Sequence, residues 1–106
     1  MTDAFEERRR KQEEKWAHDE AQRFKVKARR DKLLGLWAAA EMGLSGPHAD
    51  AYAASLVAAD LHGKGEAVLD KLRADFATAK LGHSDAVIRH KMEELLVVAA
   101  GQLKQA

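Results

Sequence analysis

Five histidines, three serines and one glycine-lysine-glycine turn are the residues with which this chain could do chemistry. Their spacing argues against it. His18, His48, His62, His83 and His90 include no H-E-x-x-H pair, the pattern that sets two imidazoles on one helix face around a divalent metal. Gly63-Lys64-Gly65 has the lysine of a phosphate loop but neither the leading glycine nor the following Ser or Thr, and no strand precedes it. A tight turn accounts for it. Ser45, Ser55 and Ser84 sit in no nucleophile elbow. Cysteine is absent, so neither a thiolate nor a Cys-based zinc site is available. The residues therefore point to no enzyme, no metal and no cofactor.

The elements that carry these residues are helical. Ala, Leu, Glu, Lys and Arg dominate, and the single proline is Pro47. A length of 106 residues allows one domain. Charge divides the chain in two. Residues 1–32 hold eleven Lys/Arg and eight Asp/Glu, whereas the remainder holds seven and nine. From Met1 to about Ala21 the apolar residues are Phe5, Trp16 and a few alanines, too little to offset the entropy of ordering the segment. It reads as a flexible, charged, partly helical arm over residues 1–20, ahead of a bundle over 21–106. Phe5 and Trp16 are eleven residues apart, close to three helical turns, so a helix would present both rings on one face. That is the layout of a binding ridge that folds on contact.

Beyond the arm, the spacing predicts a small four-helix bundle of all-α class. The first helix runs from about Ala21 to Met42, with Phe24, Ala28, Leu33, Leu34, Trp37 and Ala38 on its inner stripe. Lys25, Lys27, Arg29, Arg30 and Lys32 form its solvated side. Gly43 ends it, and Leu44 supplies the apolar contact that follows such a stop. Ser45-Gly46-Pro47 starts the next helix, which buries Ala49, Tyr52, Ala53, Leu56 and Ala59 and ends near Leu61. A third helix spans Glu66 to Lys80, with Leu69, Leu72 and Phe76 inward and Gly82 as its stop. Ser84 caps the last helix, with Asp85 at its positive end and an apolar face of Ile88, Met92, Leu95, Leu96, Ala99 and Leu103.

Two other binding classes fit poorly. Arg8-Arg9-Arg10-Lys11 could touch phosphates, but the interleaved acids repel a nucleic-acid backbone and no stacking platform is present. The arm has too small an apolar face to lie in a membrane surface, and no apolar run is long enough to span one. The charged N-terminus also lacks the apolar core of a secretory signal.

The run Lys15-Trp16-Ala17-His18-Asp19-Glu20, then Arg23-Phe24-Lys25, then Ala28 to Ala39, resembles the zeta-type inhibitor subunit of alphaproteobacterial F-type ATP synthases. The last helix matches in Ser84-Asp85, Ile88-Arg89 and Lys91 to Leu96. The resemblance covers essentially the whole chain. It implies a four-helix protein with a mobile inhibitory arm, roughly Met1 to Asp19, that blocks ATP hydrolysis by entering the catalytic head among its alpha, beta and gamma subunits. It implies partner-binding roles for Phe5, Arg8, Arg9, Lys15, Trp16 and Asp19. It also implies a monomer when free, a cytoplasmic location at the inner membrane through the ATP synthase, and weak adenine-nucleotide binding as its one link to a cofactor. The sequence departs from the family in having Gln12 where an aromatic is usual, Trp16 in place of Phe or Tyr, and Asp31 in place of Asn. The alternative is a helical interaction module with a different partner and no inhibitory activity.

Overall fold

The computed structural model describes residues 20–60 and 65–105, so all of the expected arm but Glu20 lies outside it, as do residues 61–64. Four helices account for nearly all of the described chain: α1 (Glu20–Glu41), α2 (Gly46–Ala59), α3 (Glu66–Thr78) and α4 (Asp85–Gln105). No strand occurs among the described residues. The expected boundaries hold to within about two residues.

α1 is the spine. α2 returns antiparallel along one side of it, with Asp60 reaching Arg30 at one end and Ala53 meeting Gly35 further along. α4 returns antiparallel along another side, with Gln102 bonded to Arg29 and Lys91 lying over the Trp37 ring. α3 closes the remaining side. Leu34, Ala38, Leu56, Val68, Leu69, Leu72, Phe76 and Ile88 form one buried cluster. Fully burying a large apolar side chain stabilises by about 1.5–3 kcal/mol, so these residues carry most of the driving force.

Gly35 allows the closest approach. A Cβ built there would lie 2.5 Å from the Ala53 Cα, so only glycine lets the α1 and α2 backbones come this near.

The helix stops follow local chemistry. Gly43 adopts φ +77°, and the Leu44 N–H donates to the Ala39 carbonyl at 2.8 Å, as the Gly43-Leu44 pair predicted. The Ser84 hydroxyl accepts from the Val87 N–H at 3.2 Å and caps α4. α3 ends differently from expectation. Lys80, not Gly82, takes the left-handed turn at φ +60°, and the Leu81 N–H donates to the Phe76 carbonyl at 2.8 Å. Leu81 then packs against the core, and that contact holds a non-glycine residue in an uncommon conformation.

Four burial expectations are corrected. Phe24 is not on the inner stripe: it is 63% exposed, and Val26 takes the inner place. Arg30 is not solvated but buried. Leu96, expected near the centre of the α4 face, is half-buried, and Ile88 and Ala99 are the enclosed positions. Trp37 is half-buried, set edge-on to Phe76 at the margin of the core.

Candidate functional site

The expected partner-binding residues Phe5, Arg8, Arg9, Lys15, Trp16 and Asp19 lie outside the described residues. What the structure brings together is the chemistry of the bundle to which they are joined. Its reactive-looking groups are used for architecture. Among the described residues no three His, Asp or Glu side chains gather as a metal site. Ser55 donates its hydroxyl to the Tyr52 carbonyl, one helical turn back. His83 stacks near Trp37 and Phe76, with ring centroids 5.7 and 4.8 Å away, and its Nε2 lies 3.2 Å from Glu41. That imidazole is half-buried and joins the α3–α4 loop to the end of α1.

Tyr52 on α2 donates to Asp75 on α3 at 2.7 Å, and Lys71 joins the same carboxylate at 3.0 Å. Burial, then the Asp75 hydrogen bond, pushes the phenol above its ordinary range. Tyr52 therefore stays a donor at neutral pH.

A buried ionic cluster has no counterpart in the sequence expectations. The Arg30 Nε donates to Asp31 at 3.0 Å, and Arg30 Nη2 donates to Asp60 at 3.2 Å. The Gly65 N–H donates to the other Asp60 oxygen at 3.2 Å, so the cluster ties the start of α3 to α1. One guanidinium faces two carboxyls, and the carboxyls divide the proton unequally. Burial, reinforced by Asp60, pushes Asp31 up to about 8 against the opposing pull of Arg30. Burial would also raise Asp60, but hydrogen bonds from Asp31 and Gly65, with Arg30 and Lys27 nearby, outweigh it and hold Asp60 below its ordinary range. The protonated form is thus favoured at Asp31 and the ionised form at Asp60, which pairs with Arg30.

The sequence does carry a signal for this cluster. Val26, Arg30, Leu34 and Ala38 are spaced by four, so Arg30 lies on the buried stripe of α1. Arg29-Arg30-Asp31-Lys32 spans consecutive helix positions about 100° apart, so one of the four had to face inward.

The family model described as ATPase inhibitor subunit zeta matches residues 1–102. The chain belongs to the ATPase inhibitor subunit zeta family. That description is of an inhibitor subunit, a regulatory rather than a catalytic protein. A solved solution NMR structure resembles this zeta-family chain at 42% identity and a TM-score of 0.68, covering 77% of this chain and 94% of its own. A search of curated proteins finds no match. No helix among the described residues is long and apolar enough to cross a membrane.

Proposed function

We propose that this zeta-family chain blocks ATP hydrolysis by inserting residues 1–19 into the catalytic head of an F-type ATP synthase, among its alpha, beta and gamma subunits. The supporting observation is the reach of the family match. It begins at residue 1, so it includes the segment carrying Phe5 and Trp16 together with the bundle. The bundle's core is complete from Val26 onward, which supports treating 1–20 as the inhibitory segment and 21–106 as its folded carrier.

In this reading Phe5 and Trp16 are the apolar anchors, and Arg8, Arg9, Lys15 and Asp19 pair with charges lining the cleft. As a helix, nineteen residues span about 28 Å, enough to lodge between subunits that must move past one another. A wedged helix stops rotation sterically, with no bond made or broken by the inhibitor. The protein works on the cytoplasmic side, held at the inner membrane only through the enzyme.

The test adds purified protein to the isolated ATPase and follows hydrolysis. Trp16→Ala should keep the parent's melting curve and weaken inhibition by about 2–4 kcal/mol, as loss of a hot-spot anchor does. Trp37→Ala should lower the melting temperature while leaving the inhibition of the folded fraction intact. Undiminished inhibition by Trp16→Ala would place the active surface elsewhere.

A further inference from the structure

The exposed Phe24 opens onto a shallow groove of about 400 Å³ between the first half of α1, the end of α2 and the end of α4. Phe24, Val57 and Leu103 form its floor, and the hydrocarbon stems of Lys25, Arg29 and Lys32 form its sides. The groove follows α1 from Phe24 to Lys32, about 12 Å, or two turns of a helix. Its charge is one-sided. Among the described residues Lys25 and Lys32 have no acidic partner, and Arg29 bonds to the neutral Gln102 amide. The acids beside the groove do not compensate: Asp31 and Asp60 are both engaged by the buried Arg30 guanidinium.

We infer that this groove docks an acidic amphipathic helix of a partner protein. The partner's apolar stripe lies on Phe24, Val57 and Leu103, and its flanking carboxylates meet Lys25, Arg29 and Lys32. An apolar floor two turns long suits a helix with anchors at i, i+3 or i+4, and i+7. The uncompensated rim selects an acidic one. Two other occupants fit less well. A second copy of this chain would bring two such basic rims together, and the charges would repel. The chain's own residues 1–19 carry five Lys/Arg among six Asp/Glu, so they lack the one-signed charge that the basic rim selects. The surface is separate from residues 1–19, so the proposal stands or falls independently of the inhibitory reading.

The experiment uses the full chain and two fluorescein-labelled helical peptides of about 14 residues. Both carry a Leu stripe; one is flanked by Glu and the other by Lys. Fluorescence anisotropy should show saturable binding of the Glu peptide, weakened at least about tenfold by Phe24→Ala and by high salt. The Lys25→Glu/Lys32→Glu variant should lose the Glu peptide and gain the Lys peptide. Phe24, Lys25 and Lys32 are exposed, so the variants keep the parent's melting curve. The inference is overturned if the Glu peptide fails to bind, or if its binding is indifferent to both variants. It is equally overturned if a synthetic 1–19 peptide displaces the Glu peptide, making the arm the occupant, or if Phe24→Ala dissolves a dimer in sedimentation, making a second copy the occupant.

Discussion

Toward the end of α1 the bundle is closed ring against ring, by Trp37, Phe76 and His83; nearer its start it is closed by a buried ion pair, Arg30 and Asp60, with the Asp31 carboxyl beside it. The first closure is forgiving in direction. Carbon packing needs volume and shape, and side chains adjust to fill it. The second is unforgiving, because each buried ion must find its partner or carry a large desolvation cost. The aromatic end therefore supplies driving force. The charged end fixes which residue of α1 faces the α2–α3 connection, since Arg30 must lie within reach of Asp60 and Asp60 within reach of the Gly65 N–H.

The largest effect should come from the ring-packed end. Phe76 is fully buried, and Phe76→Ala should cost about 3–5 kcal/mol, close to the whole stability of a domain this size. Circular dichroism should show a broad transition or none near room temperature. A melting curve like the parent's would mean that Trp37 and His83 close this end without it.

At the other end, Arg30→Met should cost about 3 kcal/mol, because it strands the Asp60 charge while keeping most of the hydrocarbon contact. Adding Asp60→Asn should recover at least half of that loss. If the two substitutions simply add, the guanidinium and carboxylate are not coupled, and the contrast between the ends dissolves.

The smallest effect is the most specific. Asp31 holds its proton to about pH 8 in the fold but to the ordinary carboxylate range when unfolded. Folding at neutral pH must therefore take up a proton, so this group's contribution falls as pH rises from about 4 to about 8. Asn supplies the same N–H donor toward Asp60 and carbonyl acceptor toward Arg30 with no proton to find. Asp31→Asn should raise the melting temperature by on the order of 5 °C at pH 7, and by almost nothing near pH 4. An equal gain at both pH values would assign the effect to packing.

Sequence reading succeeded where one residue decides the outcome locally. The Gly43-Leu44 stop, the Ser84 cap and the stripe Leu69, Leu72, Phe76 follow from spacing and side-chain type. It failed where a residue's type contradicts its position. Phe24 is the largest apolar residue in the first turns of α1, yet it is exposed, on the rim of a groove that no described helix fills. Arg30 is charged, yet it points inward because Asp60 arrives from thirty residues away. Neither fact is local, so periodicity could not rank them. Phe5 and Trp16 are legible from their spacing and Arg8, Arg9, Lys15 and Asp19 from the family resemblance, and all six lie outside the described residues.

The close approach of the α1 and α2 backbones at Gly35 has a mechanical consequence. Rolling α1 about its axis would swing Leu34 or Leu36 into Ala53, and sliding it along α2 would bring a neighbouring Cβ to the same point. Both motions are blocked by backbone rather than by adjustable side chains. A pull on the chain ahead of Glu20 therefore enters along the axis of α1 and is shared at once with α2, so the pair takes strain as a single rod.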